Sequence, residues 1–424
     1  MGKTITEKIL ARAAGLPAVS AGQEIRVKPD YVLAYDWPGQ TDVIFREIEE
    51  RFGLQALVEP DRFGVFIDHM TSAPSAKEQA FHAETLANCA RYGIAVYENR
   101  GIGHHVASEV GYAAPGAFVV HFDGHVSQLG AFGTLAIGLR RSLIEAFVQP
   151  AIEFTVPATV RVDFHGRLQP GVMARDVFHH LIDTLGPDSC SFQVLELGGP
   201  GVSTLTTSDL QELGGLAMFV GACTAIVNPE DDTRYTQARE SARHDFGRPV
   251  SDHDAHYTAR HSINLSAIEP MAAAPHTSAN IVKLSDCAGV AIHKGYIGSC
   301  VSGRLEDLRA AAQLLKGRRI HPDFTLHVVP TSQAILQAAT HEGLIATLSD
   351  AGARIGMPTC DYCYGRNKLL DAGERAVSTG TLNVRGRMGE INAEIYLCSP
   401  ATIAATALNG CITDPRQYFD RHPS

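Results

Sequence analysis

Apolar and polar positions follow two rhythms along the chain, one helical and one of short continuous runs. TITEKILARAAG spaces Ile5, Ile9 and Leu10 helically behind a Thr4 cap and stops at Gly15, which predicts a helix. DYVLAYD and VFIDHM, residues 65–70, are compact apolar runs that predict buried strands. The second delivers Asp68 and His69 at its carboxyl end, and the helical AKEQAFHAETLANCARYG follows. AFVVHFDGHVSQLGAFGTLAIGLRRSLIEAF repeats the arrangement: a strand through Phe118 to Val120, a polar loop with Asp123 and His125, then a helix of small residues. TVRVDFHGRL, residues 159–168, reads as a tight hairpin turning near His165-Gly166, and LGPDS at 185–189 as a turn after a helix. Towards the end, FTLHVVP and TSQAILQAATHEG form a strand and helix pair. SPATIAATALNG is bounded by Ser399 as cap, Pro400 in the first helical position and Asn409-Gly410 as stop. The alternation predicts an α/β fold. In open α/β sheets ligands collect beyond the carboxyl ends of strands, which singles out the two Asp/His deliveries.

Length and composition sharpen this picture. At about 150 residues per domain, 424 residues imply 2 to 3 domains and a large core. A polar, aliphatic-poor stretch from about 225 to 270 reads as a surface helix and linker, with a boundary near 265–285. The chain is 45% apolar and 19% charged, opposite to a disordered segment. Its 46 acidic and 36 basic residues leave a formal charge of -10, which argues against non-specific binding to nucleic acid or anionic membrane. The N-terminus lacks the apolar stretch of a signal peptide and no run is long enough to span a bilayer. Nine cysteines at irregular spacing are not a secreted staple pattern and point to a reducing, cytoplasmic location.

Three of those cysteines carry the strongest chemical signal. Cys300 closes IGSC, and Cys360 and Cys363 form a Cys-x-x-Cys pair about 60 residues later in PTCDYCYG. A close pair with one distant third suits three thiolates on a metal, or a redox pair. Three thiolates fit a cubane iron–sulfur cluster with one iron left open, whereas structural zinc ordinarily takes a fourth Cys or His. Gly298, Gly356 and Gly365 allow close backbone approach there, and Ser299 and Ser302 can donate near sulfur. The other six cysteines read as small core residues. The glycines of LELGGPG lack dinucleotide-binding spacing and read as a turn. RLEDLRAA, beginning at Arg304, reads as a solvated helix face.

The ordered series MGKTITEKIL, RGIGHH, DGH with LGAFG, IGSC with GRLEDLRAAA, the Cys-x-x-Cys block and SPATIAATAL resembles the aconitase superfamily, in particular the large subunits of its isopropylmalate and homoaconitate dehydratase branch. The resemblance runs from residue 1 to about 415. It implies a three-domain α/β/α architecture with mixed sheets, divided at 1–157, 158–268 and 269–424, the last segment carrying the cluster cysteines. It also implies that Cys300, Cys360 and Cys363 hold a [4Fe-4S] cluster whose open iron acts on the substrate hydroxyl. By the same resemblance His69 protonates the leaving hydroxyl and Asp68 orients it, while His104, Asp123 and His125 complete the catalytic set. Arg387 matches an arginine that binds a substrate carboxylate. The family's catalytic serine lies on a swivelling domain absent from the large subunit, which implies a separate small partner.

The chemistry of dehydration agrees with these roles. Removing water from a 2-hydroxy acid needs a Lewis acid on the C–O bond, a proton donor, a base and cations for the carboxylates. Histidine beside a carboxylate serves as donor near neutrality. Several positions depart from the pattern. Gly124 replaces the serine of the family's Asp-Ser-His, Leu382 the arginine of its Asn-Arg-Asn-Phe, Ser302 the asparagine of its Cys-Thr-Asn-Gly-Arg, and Phe219 a glutamate. A missing cation and hydroxyl leave a buried carboxylate uncompensated. The expectation is therefore a malate-like 2-hydroxy acid with an apolar or smaller group facing Leu382, or a charge supplied by Arg366, Arg385 or Lys368. Turnover of citrate and isopropylmalate is expected to be weak. The alternatives are 3-isopropylmalate dehydration proper and a non-enzymatic iron–sulfur sensor or scaffold subunit.

Overall fold

A computed structural model describes residues 2–139, 142–228 and 240–419. Three larger sheets organise it, within residues 31–138, 159–264 and 271–397. The first is wholly parallel, in the order Ala95–Glu98, Phe63–Ile67, Tyr31–Tyr35, Phe118–His121, Leu135–Gly138. Its central strands are buried along their length, as expected where helices or other elements cover both faces. Gly64 belongs there because a Cβ would lie 2.7 Å from the Tyr112 hydroxyl, which donates to the Phe63 carbonyl.

The second sheet is also parallel, in the order Thr224–Val227, Val194–Gly198, Thr159–His165, Ala259–Asn264. The third is mixed. It runs Ile281–Lys283, Met271–Ala273, Glu394–Leu397, Arg375–Ser378, Lys294–Ile297, Thr325–Val328, Arg354–Ile355, with the first two strands antiparallel to their neighbours. The core of the second sheet includes Ile102 and Ala131 from the stretch that holds the first sheet and Cys300 and Val301 from the stretch that holds the third. The site therefore forms where the three sheets meet.

Helix ends follow the sequence signals closely. Ile5–Ala14 has a Thr4/Glu7 capping box and a left-handed Gly15, and Pro400–Asn409 is capped by Ser399 and closed by Gly410. Three expectations fail. TVRVDFH is a parallel strand between two neighbours and not a hairpin arm, because its alternating apolar residues are buried against both. The small-residue run after Asp123 forms 3₁₀ turns over Gly124–Phe132 and then the strand Leu135–Gly138, its glycines favouring close packing over a continuous helix. Gly130 illustrates this, since a Cβ would sit 2.0 Å from the Ala225 carbonyl oxygen. Arg304 is 1% exposed, so the start of the RLEDLRAA helix faces the interior. The surface helix expected between 225 and 270 falls partly on 229–239, outside the described residues; Ala259–Asn264 completes the second sheet.

Candidate active site

A cavity of about 790 Å³ opens between the sheets. Cys300, Cys360 and Cys363 line one side, and His69, His104, Asp123 and His125 another. Trp37, Val43, Ile44, Leu143, Ile144 and Met218 supply an apolar wall. Gly124, Leu382 and Arg387 also face it.

Asp68 and His69 follow directly on strand Phe63–Ile67. His69 Nδ1 lies 2.6 Å from Asp68 Oδ1, and Gly103 N donates to Asp68 Oδ2 at 2.7 Å. A carboxylate partner makes Nδ1 the protonated nitrogen and leaves Nε2 for the cavity. Burial alone would push the His69 imidazole down, but the Asp68 charge and hydrogen bond hold it above the ordinary histidine value. Burial likewise works to raise Asp68, and His69, the Gly103 N–H and His104 bring it net below the usual carboxylate range.

Asp123 is the hub of the second group. Its Oδ1 accepts from His125 N at 2.7 Å and lies 3.5 Å from His104 Nε2, and its Oδ2 accepts from the Tyr35 hydroxyl at 3.0 Å. Against its burial, the surrounding histidines hold this carboxyl well below its usual value. His125 Nδ1 lies 2.7 Å from the Gly215 carbonyl, which can only accept, so Nδ1 donates there and Nε2 is left for the cavity. His121 accepts from Asp123 N at 2.9 Å, and burial with His104 nearby pushes it down to about 3.

The sulfur side is closely built. Cys360 N donates to the Asp68 carbonyl at 3.2 Å and Cys363 N to the Cys360 carbonyl at 2.9 Å. A Cβ on Gly365 would meet the Arg387 carbonyl oxygen at 2.7 Å, which its φ of +88° also forbids to most residues. Arg387 Nη2 donates to Cys363 Sγ at 3.7 Å. Hydrogen bonding from Cys360, with Arg387 beside it, holds the Cys363 thiol down, whereas burial and repulsion from Cys363 push Cys300 up. Among the described residues no three His, Cys, Asp or Glu side chains converge as ligands of a single ion. A cubane takes its thiolates on separate corners, so three cysteines around one cavity fit it without converging on a point.

Other residues singled out from the sequence stand elsewhere. Ser302 is buried and donates to Asp307 Oδ2 at 3.0 Å. Arg366 pairs with Glu78 at 2.9 Å and donates to the Ser72 carbonyl, and Arg385 is exposed. None of the three lines the cavity; among the described residues Arg387 is the arginine or lysine that does. Met218, rather than Phe219, faces the cavity, and the Phe219 ring lies 6.1 Å from that of His125.

Sequence reasoning missed Tyr35, Trp37 and Tyr364. Tyr35 packs its ring 4.6 Å from His69 and 5.5 Å from His104, Trp37 lies 5.0 Å from His69, and Tyr364 5.4 Å. Tyr35 ends a predicted strand, so the strand-end rule already marked it.

Comparison with known proteins agrees with this architecture. The aconitase family (aconitate hydratase) matches residues 62–410. The chain is 37% identical over 425 residues to 3-isopropylmalate dehydratase large subunit 1 of Methanopyrus kandleri, covering 99% of this chain and 100% of the relative. It is 36% identical to the 3-isopropylmalate dehydratase large subunit of Moorella thermoacetica, covering 98% and 99%. The crystal structure of Thermococcus kodakaraensis aconitase X (holo-form) shares the fold with a TM-score of 0.51 at 12% identity, over 87% of this chain and 88% of that one. No helix among the described residues is long and apolar enough to cross a membrane. The chain belongs to the aconitase family, as a hydro-lyase of the large-subunit type.

Proposed function

We propose that the chain is the large subunit of a [4Fe-4S]-dependent hydro-lyase that reversibly dehydrates a malate-type 2-hydroxy acid, 3-isopropylmalate first among the candidates. The observation that carries this reading is the meeting of three cysteines with two carboxylate–histidine groups around one cavity. The names of the relatives support 3-isopropylmalate itself over the altered substrate expected from the sequence departures. So does the apolar wall, which suits an alkyl substituent.

Cys300, Cys360 and Cys363 would hold the cluster, and when bound it supplies Lewis acidity toward the substrate hydroxyl. The chain's own residues do the rest. His69, whose protonated form Asp68 favours, donates a proton from Nε2 to the departing hydroxyl. Asp123 orients His104 and His125, and Arg387 binds a substrate carboxylate. The base for the carbon proton comes from a separate small subunit, a reading that the relatives' description as large subunits supports. In this reading the enzyme works in the cytoplasm, and segments 1–157, 158–268 and 269–424 are three domains, supported by one large sheet lying within each.

A second reading keeps the reaction and changes the acid. Leu382 and Gly124 both face the cavity, leaving it short of one cation and one hydroxyl relative to the family pattern. That favours a malate-type acid with a neutral group at this point. One experiment tests both readings: anaerobic reconstitution with iron, sulfide and the small subunit, followed by a screen of malate-type acids varied in substituent size and carboxylate number. Dehydration of 3-isopropylmalate, weakening as its alkyl group is trimmed, is expected. Loss of that preference in favour of a monocarboxylic or smaller acid selects the second reading, and no dehydration of any such acid overturns both.

A further inference from the structure

Asp361 lies inside the Cys-x-x-Cys turn, yet its side chain serves the loop beside His69. It is fully buried. Its Oδ1 accepts from Met70 N at 2.7 Å and from the Tyr364 hydroxyl at 2.8 Å, and its Oδ2 accepts from Ser72 N at 2.7 Å. The loop it grips is one that local preference opposes, since Met70 and Ala73 have φ of 57° and 46°, in the left-handed region. Such backbone persists where its surroundings over-determine it. Further ties lead back to the same turn: Cys360 N donates to the Asp68 carbonyl, Thr71 Oγ1 lies 2.8 Å from Thr359 Oγ1, and Arg366 donates to the Ser72 and Ala73 carbonyls. The Tyr364 ring packs on His69 while its hydroxyl is fixed by Asp361.

We propose that Asp361 is a positioning residue that couples the cysteine turn to His69, so that the proton donor takes its working place only when the turn is set. This rests on the functional reading above, in which the turn holds the cluster and His69 is the acid. A carboxylate is required because two main-chain N–H groups and a hydroxyl all donate to it. An amide has one accepting oxygen, and its NH₂ would face a donor.

The test compares wild type with Asp361→Asn in the full chain with its small subunit. In the cluster-free chains, hydrogen exchange at residues 70–73 should rise at least about tenfold in the variant, with strand Phe63–Ile67 unchanged, since a donor bond to the loop is lost. In chains loaded to equal iron and sulfide, kcat should fall about 10–10²-fold with KM little changed, the size expected when a reacting group is displaced by a fraction of a bond length or more. Should the variant not fold, wild type alone decides: loading should slow exchange at 70–73, and equal exchange before and after would overturn the coupling. Wild type that takes up no iron and sulfide would overturn the functional reading and the coupling together. Loaded, active wild type beside a variant of equal kcat, or of unchanged exchange at 70–73, would overturn the coupling alone.

Discussion

Arg304 and Gln128 meet behind the cavity, where Arg304 Nη2 donates to Gln128 Oε1 at 2.7 Å and both side chains donate to the carbonyl of Cys300. Arg304 also donates to the Val301 carbonyl at 2.7 Å. The main chain immediately after the first cysteine is thus fixed by a buried cation whose charge also faces Asp307 and Glu212.

Removing that cation takes a buried positive charge from Asp307 and Glu212, although Glu212 keeps Arg175, and takes from the Val301 carbonyl and Gln128 Oε1 the donor that Arg304 supplies. Arg304→Ala is expected to destabilise the chain by about 3–5 kcal/mol, the range for one member of a buried charge group. Gln128→Leu, which removes a neutral partner, should cost about 1–3 kcal/mol. Urea unfolding of both variants checks the order, and a near-neutral Arg304→Ala would refute it.

Asp307 has a pH signature of its own. Burial, then the nearby Glu212 charge, raises its carboxyl from 3.8 to about 7, against the pull of Arg304 and of donors at its Oδ2. Below about pH 4 folded and unfolded chains both hold the proton. Between about 4 and 7 the unfolded chain releases it and the folded chain keeps it, so this group's contribution to stability declines as pH rises through that window. Asp307→Asn cannot ionise and keeps an accepting oxygen, and its midpoint in urea should therefore fall less from pH 4.5 to pH 7 than that of wild type. An equal fall in both would exclude Asp307 as the source.

Cys300→Ser, Cys360→Ser and Cys363→Ser should each lose bound iron, labile sulfide and visible absorbance. Cys190→Ser and Cys398→Ser, at buried positions away from the cavity, should keep all three. Stoichiometric zinc without sulfide in anaerobically purified wild type would sink the cluster assignment.

His69→Ala should leave the absorbance intact while lowering turnover about 10²–10⁴-fold, the usual contribution of a positioned acid. Because Asp68 holds the His69 imidazole up, the protonated donor persists to higher pH. Asp68→Asn removes that support and leaves the burial, so the alkaline limb of kcat should move to lower pH. A limb that stays in place would transfer the donor's role to His104 or His125.

Much of the fold was readable because its signals are local. Caps at Thr4 and Ser399, stops at Gly15 and Gly410, and the buried run at 65–67 depend on near neighbours in sequence. The strand Thr159–His165 was misread since its partners lie some 30 and 100 residues away, and a parallel pairing leaves no turn signature. The same holds at the site. Asp68, His69 and the three cysteines stand out by type and spacing, whereas the inward turn of Arg304 and the outward turn of Arg385 depend on tertiary packing. Asp361 carries no signal of its own in the sequence, because the loop it accepts from lies 291 residues earlier.

That separation sets a schedule for synthesis. At roughly 5–20 residues per second, the ribosome needs on the order of 15–60 s between Met70 and Asp361. The loop beside His69 must wait that long for the carboxylate that shapes it, and Cys300 waits for its two companions. Before then the unfinished chain offers at most Cys300 and Cys360 of the three cysteines at the cavity, so on the proposed reading cluster insertion belongs after translation has passed Cys363, and maturation is a step that chain order keeps separate from elongation.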